Sequence, residues 1–391
     1  MLPQFDDMLK TLVGEPSVSS LSPDIDRSNL AVIEHLANWA EGLGFETELQ
    51  TLPDAPKKGN LIATLPANAA PEDGNDERGG LVLAGHTDTV PYDEDKWQSD
   101  PFTITENDGL LYGLGACDMK GFFPTALEAI TPFLTAKRTA PITIIATSDE
   151  ESSMAGARFL AEGDRPPADF AIIGEPTGLT PIYAHKGIAF MTIKLLGASG
   201  HSSNPDLGCN ALDAMHDVMG ELIRFRTELA EANINPAFEV QVPTMNLGCM
   251  HAGDSPNRIC AHAELQIDLR LLPGMDTHAT LEMLVMRCQQ AVANCDINLD
   301  ISTHYPPIPP FESPIDGDLV THLAQVSGNA PATVAFGTEG HFLQSLGLET
   351  VIFGPGSIDQ AHQPNEYLPR DQVAAGRDIL SQTIQRYCTA R

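Results

Sequence analysis

The chain has 391 residues, 42% of them hydrophobic, and 22 Lys plus Arg against 53 Asp plus Glu, for a formal net charge of −31. That length exceeds what one compact core usually holds, so two domains are expected, and the apolar content argues against disorder. So acidic a surface repels phosphate backbones and anionic lipid heads, which argues against nucleic acid and membranes as partners. It either draws in a cationic small molecule or simply solvates the protein. No apolar stretch approaches the roughly 20 residues of a membrane helix. The start, Met1-Leu2-Pro3-Gln4-Phe5-Asp6-Asp7, lacks the basic-then-apolar pattern of a secretory signal. A cytoplasmic location is the simplest expectation. Seven cysteines without a Cys-x-x-Cys pair indicate neither a disulfide framework nor a thiolate zinc site.

Taken in chain order, residues 29–43 place Leu30, Ile33, Leu36, Ala37, Ala40 and Leu43 on one helical face, and Gly42 and Gly44 end that helix. Apolar runs predict strands at about 81–84, 142–147, 170–174 and 350–354. Helices are expected near 122–136, 154–162, 316–327 and 371–388. The alternation argues for an α/β fold with a mixed, largely parallel sheet and flanking helices.

The stretch from about 186 to 303 reads differently. A strand over Ile188–Leu196 precedes a helix from about Asn210 to Ala232, then a short strand near 239–248. A long alternating strand follows, with Ile259, Ala261, Ala263, Leu265, Ile267 and Leu269 on one face. A helix over Thr277–Asn294 and a strand at Ile297, Leu299 and Ile301 complete β-α-β-β-α-β, the split ferredoxin-like α+β order. Tyr305-Pro306-Pro307-Ile308-Pro309-Pro310 makes a stiff crossing out of it. The expected organisation is a discontinuous catalytic domain, residues 1–184 and 305–391, with an inserted lid over 185–304.

Five polar residues follow apolar runs or glycine-rich turns: His86, Asp118, Glu151, Glu175 and His362. In an open α/β sheet, ligands bind beyond the carboxyl ends of the strands. Two imidazoles and three carboxylates gathered there suit a pair of divalent metals, and such a pair makes a water nucleophile at neutral pH. With five ligands for two ions one carboxylate must bridge, and Asp118, after Gly113-Leu114-Gly115-Ala116-Cys117, is the candidate. Taken singly, Asp118 could be a helix N-cap and Glu175-Pro176-Thr177 a turn. Asp88, two residues beyond His86, is placed to accept its remaining ring N–H. Glu150, beside Glu151, is the candidate general base.

At these residues the chain resembles the M20 family of co-catalytic zinc aminoacyl hydrolases over essentially its whole length. The resemblance is carried by Gly85-His86-Thr87-Asp88-Thr89-Val90-Pro91, Leu114-Gly115-Ala116-Cys117-Asp118-Met119-Lys120-Gly121, Ser148-Asp149-Glu150-Glu151 and Ile173-Gly174-Glu175-Pro176-Thr177. Ala184-His185-Lys186-Gly187, Ser199-Gly200-His201-Ser202-Ser203, Asn257-Arg258-Ile259-Cys260 and Gly354-Pro355-Gly356 through Ala361-His362-Gln363-Pro364 add to it. It implies a zinc-peptidase-like fold holding two Zn²⁺, replaceable by Co²⁺ or Mn²⁺: His86, Asp118 and Glu175 around one ion, and Asp118, Glu151 and His362 around the other. It implies Asp88 as orienting acid, Glu150 as general base and a homodimer formed through the inserted domain. His201 matches a histidine that, in the dimer, enters the partner subunit's site and stabilises the oxyanion there. Arg270 matches a clamp for the substrate's α-carboxylate, which Asn257 would assist. The alternatives are that Arg270 pairs with Asp268 or another acid, and that His201 only shapes a turn with Ser202.

The implied chemistry is amide hydrolysis of an N-acyl amino acid. Glu339, in Phe336-Gly337-Thr338-Glu339-Gly340, would place a negative charge near the pocket or else cap the helix that follows. A carboxylate lining the pocket favours a cationic side chain. What the resemblance implies, together with that charge, is hydrolysis of N2-acetyl-L-ornithine to L-ornithine and acetate in arginine biosynthesis. N-succinyl-diaminopimelate is the nearest rival, a broader N-acyl-amino-acid range the next, and a non-catalytic binding homologue the alternative from another class.

Overall fold

The computed structural model describes residues 2–70 and 79–390, so Met1 of the start read above and Arg391 of the last segment lie outside the described residues. The chain divides into two compact units, one of Met1–Tyr183, Ser313–Ala332 and Thr338–Arg391, the other of Ala184–Glu312 and Thr333–Gly337.

The first unit is a mixed α/β layer structure. Leu81–His86 pairs in parallel with Ile142–Thr147 on one side and with Phe170–Ile173 on the other, and Glu349–Ile352 pairs in parallel with Phe170–Ile173. The first three of these strands are buried at every residue. Strands covered on both faces must read as continuous apolar runs, which is why these were visible in the sequence. Antiparallel strands flank the parallel centre. The hairpin Glu46–Leu52 and Ala55–Leu65 adds to Ile142–Thr147, and Ile182–His185 pairs with Ile352 as it carries the chain into the second unit.

The hairpin was not expected from sequence. Its first strand alternates half-exposed polar residues and buries only Leu52, so hydrophobic patterning alone does not mark it. The amphipathic helix Phe5–Gly14, also unpredicted, buries Phe5, Met8, Leu9, Leu12 and Val13. The helix expected over 122–136 ends as α-helix at Ile130 and tightens into a short 3₁₀ turn, Thr131–Phe133.

The second unit runs β-α-β-β-α-β: Gly187–Leu196, Ala211–Ala232, Thr244–Ala252, His262–Leu271, Thr277–Ala291 and Asn298–Thr303. Its sheet is antiparallel throughout, with Gly187–Leu196 and His262–Leu271 at the centre. Met191, Ile193, Leu195, Leu265, Ile267 and Leu269 bury one face with Met215, Val218 and Leu222 of the first helix. The strand expected near 239–248 lies later, at Thr244–Ala252, where pairing with His262–Leu271 and a bulge between Leu247 and Cys249 fix its register.

His322 of the helix Asp318–Ser327 illustrates the packing chemistry of the first unit. Thr383 donates its hydroxyl proton to the Ile379 carbonyl at 2.9 Å, so His322 Nε2–H must donate to Thr383 Oγ1 at 3.2 Å. The ring meets Tyr387 edge-on at 5.5 Å. Burial, with the Arg386 charge adding to it and Asp318 opposing, lowers the His322 pKa below 6.5. The unfolded chain therefore binds the proton more readily, and this contribution is lost as pH falls below about 6.5. Comparing melting temperatures of the parent and His322→Asn between pH 5 and 8 should show a steeper acid-side loss in the parent. Parallel curves would remove His322 from the account.

Candidate functional site

Parallel register brings the polar residues together. His86 ends its strand level with Thr147, and Ala84 is level with Ile173. Two residues beyond Ile173 stands Glu175, and the turn after Thr147 carries Glu150 and Glu151. Close approach is needed at Gly174, where a Cβ would overlap the Phe122 ring.

Two candidate metal-ligand groups result, and they share Asp118. In His86, Asp118 and Glu175, and again in Asp118, Glu151 and His362, the donor atoms all lie within 4.8 Å of one another. His86 Nε2 is 3.1 Å from Asp118 Oδ1 and 3.9 Å from Glu175 Oε1. On the other side His362 Nε2 is 3.6 Å from Asp118 Oδ2 and 3.0 Å from Glu151 Oε2. His86, Asp118 and Glu175 are buried, whereas His362 is exposed. Nitrogen and carboxylate donors in this number fit a borderline cation such as Zn²⁺, with the two oxygens of Asp118 directed at different histidines.

The electrostatics carry the same message. Burial, Asp118 and Glu151 push the Glu175 carboxyl well above its ordinary range. Burial with Glu175, Glu151 and Glu339 does the same to Glu150. Burial would lower His86, but the Asp118 hydrogen bond and the Glu175 and Asp88 charges raise it well above 6.5. Asp118 is lowered, because the His86 hydrogen bond and charge outweigh burial. Such an assembly of acids is a strong attractor for positive charge.

The remaining candidates fall in different places. Asp88 is fully buried, but the His86 Nδ1–H meets the Asp88 backbone carbonyl at 3.1 Å, while the carboxylate Oδ1 lies at 3.6 Å. That carboxylate instead accepts the backbone N–H groups of Glu150 at 3.2 Å and Glu151 at 3.1 Å. It thereby fixes the turn that carries both acids. Glu339 does not line an open surface. It is 1% exposed, hydrogen-bonds Thr147, and burial raises it to about 7. It precedes the helix Gly340–Ser345 without a capping bond from its side chain.

His201, Asn257 and Arg270 belong to the second unit. The ring nitrogen Nδ1 of His201 accepts from Ser203 Oγ at 2.8 Å, and Asn257 Oδ1 accepts from Ser255 Oγ at 2.7 Å. Arg270 pairs with Asp268, Nε to Oδ1 at 2.8 Å and Nη2 to Oδ2 at 3.2 Å, and lies over the Phe190 ring at 5.5 Å.

Three supporting residues went unseen in the sequence. Lys58 is 3% exposed and donates to Asp26 at 2.8 Å and Asp149 at 2.7 Å, and Ser19 adds a bond to Asp149 at 2.9 Å. A lysine in an alternating strand ordinarily signals solvent. Lys120 is fully buried, donates to the carbonyls of Leu12 and Glu15 at 2.9 Å each, and is pulled down by burial to about 7. Glu366, 2% exposed, accepts backbone N–H groups around Asp118. Its signal was only its place four residues beyond His362.

The description "Peptidase family M20/M25/M40" matches residues 82–386, and the chain belongs to that family. It is 44% identical over 387 residues to the acetylornithine deacetylase of Photorhabdus laumondii, covering 99% of this chain and 98% of the relative. It is 43% identical to that of Yersinia pestis over the same shares of both chains. Among solved structures, the metallo-carboxypeptidase Sso-CP2 of Sulfolobus solfataricus is similar in fold, with a TM-score of 0.74, 19% identity and 99% of each chain covered. The YXEP protein of Bacillus subtilis, a dinuclear metal-binding peptidase of the M20 family, gives 0.66 at 13% identity and 98% of each chain.

Lys58 is buried between Asp26 and Asp149, so its contribution to this architecture can be measured. Removing one partner of a buried pair strands the other charge, so Lys58→Met should cost about 3–5 kcal/mol. Denaturant unfolding should return part of that loss in Lys58→Met with Asp149→Asn. A loss below 1 kcal/mol would show the pair to be dispensable.

Proposed function

We infer that the chain is a metal-dependent amidohydrolase that hydrolyses N2-acetyl-L-ornithine to L-ornithine and acetate, a step of arginine biosynthesis. The observation that carries this reading is the pair of donor groups sharing Asp118 beside Glu150, in a chain similar to acetylornithine deacetylases over nearly its whole length. His86, Asp118 and Glu175 would hold one Zn²⁺, and Asp118, Glu151 and His362 the other. Two such cations lower the pKa of water and polarise an amide carbonyl.

Around them the protein's own groups do the positioning and the proton work. Glu150 takes the proton of the attacking water and passes it to the departing amine nitrogen as the C–N bond breaks, releasing acetate and ornithine. Asp88 holds the Glu150 and Glu151 backbone. In the second unit, His201 is assigned to the oxyanion, and Arg270 with Asn257 to the α-carboxylate. Arg270 suits that task because its planar fork is already oriented by Asp268. Glu339 is assigned to favouring the cationic substrate through its charge.

The first unit is then a discontinuous catalytic domain of a cytoplasmic enzyme, and the ferredoxin-like second unit a lid and homodimerisation module. Leu212, Ile223, Met283 and Met286 leave apolar surface on its helices that a second copy would cover. No helix among the described residues is long and apolar enough to cross a membrane.

Chelator-stripped protein should lose amine release from N2-acetyl-L-ornithine and regain it with Zn²⁺. N-succinyl-LL-diaminopimelate, assayed in parallel, should be cleaved far more slowly; preferential cleavage of it would move the substrate assignment. Glu150→Gln should lower kcat by about 10²–10⁴-fold while two ions still bind, as read by metal analysis. Near-parental kcat would remove Glu150 as the base.

A further inference from the structure

Glu366 follows His362 by four residues, yet neither oxygen of its buried carboxylate is directed at a histidine. Its Oε2 accepts the Gly115 N–H at 2.9 Å, and its Oε1 accepts those of Cys117 at 2.7 Å and Asp118 at 2.9 Å. The Glu366 backbone carbonyl accepts a fourth, from Gly113, at 3.1 Å. The whole segment from Gly113 to Asp118 is therefore tied to one residue.

The segment is shaped for this. Gly115 has φ +74°, a conformation that side chains rarely adopt, and a Cβ there would meet Thr89 Cγ2 at 2.6 Å. A left-handed residue among successive right-handed ones turns neighbouring N–H groups to one side and forms an anion-binding nest. Here the acceptor is the protein's own buried carboxyl group. Three backbone N–H bonds on one buried carboxyl group leave it little rotational freedom.

The segment's last residue is Asp118, whose two oxygens are directed at His86 and His362. We propose that Glu366 is the positioning residue for Asp118: by filling the nest it holds the backbone from which the shared carboxylate reaches both ions. The proposal rests on the two-ion reading given above. Glu366 is not itself a ligand, because both its oxygens are committed to N–H groups. Glu366→Gln keeps the shape but turns an NH₂ toward a backbone donor on one side of the nest, loosening Asp118 while all five donors remain.

The test is calorimetric titration of the full-length, chelator-stripped chain with Zn²⁺, together with the visible spectrum of the Co²⁺-loaded form. Glu366→Gln should bind the weaker of two ions about 10–100-fold less tightly, with an altered Co²⁺ spectrum. Glu366→Asp, which keeps both acceptor oxygens on a shorter arm, should show a smaller loss in the same direction. Leu323→Ala, a buried change in the helix Asp318–Ser327, serves as a control for general destabilisation and should bind both ions as the parent does. Parental affinities and spectrum in Glu366→Gln would overturn the proposal. So would a loss that Leu323→Ala reproduces. If the parent chain itself binds fewer than two ions, the two-ion reading fails first, and that result is distinct from the others.

Discussion

Asp118 has donor atoms within 4.8 Å of Glu175 on one side and of Glu151 on the other, Glu150 feels the charges of Glu175 and Glu151, and like charges so confined would move apart if they could. Burial and mutual repulsion raise Glu150, Glu151 and Glu175. Each must be held by something stronger than its tendency to turn away. The restraints are of two kinds. One is the strand end, where the backbone is already committed to the sheet. The other is a fixed polar partner: Asp88 on the Glu150–Glu151 turn, Lys58 on Asp149, and Glu366 on the segment before Asp118. Much of the buried polar chemistry of the first unit anchors the backbone under these acids.

The parallel sheet makes this arrangement simple to build. Adjacent parallel strands end on the same side, and the register of Leu81–His86 with both neighbours sets the donors side by side. His362 is the exception. It stands on a longer excursion after Glu349–Ile352, at φ 60° and exposed. Its approach to Glu151 and Asp118 depends on the loop rather than on the sheet, which makes it the least constrained of the five donors.

The same contrast explains what the sequence could reveal. Continuous apolar runs identify buried parallel strands, and a polar residue just past a run identifies a candidate donor, because both signals are local. The order of the second unit was legible from alternation in His262–Leu271 and from two helical periods. The hairpin 46–65 was not, because its outer strand is neither apolar nor buried. Lys58, Lys120 and Glu366 were invisible for a related reason. Each acts on backbone atoms or acids distant in the chain, and nothing in its own neighbourhood distinguishes it from a solvated charge. Asp88 shows the limit of spacing arguments: two residues from His86 it does neighbour the ring, but its carboxylate serves the next strand's turn.

Charge bears on substrate choice as well. The bidentate pairing of Arg270 with Asp268 makes that locus neutral overall. The chain around it carries a formal charge of −31. N2-acetyl-L-ornithine, with one carboxylate and one ammonium, is neutral overall and meets no net repulsion. N-succinyl-LL-diaminopimelate, with three carboxylates and one ammonium, carries a double negative charge and does. The field responsible is screened over about 8 Å at physiological ionic strength, so it acts on the final approach rather than at a distance. The acidity of the chain and the chemistry of its ion-binding acids therefore favour the same substrate: one that brings a cation with it.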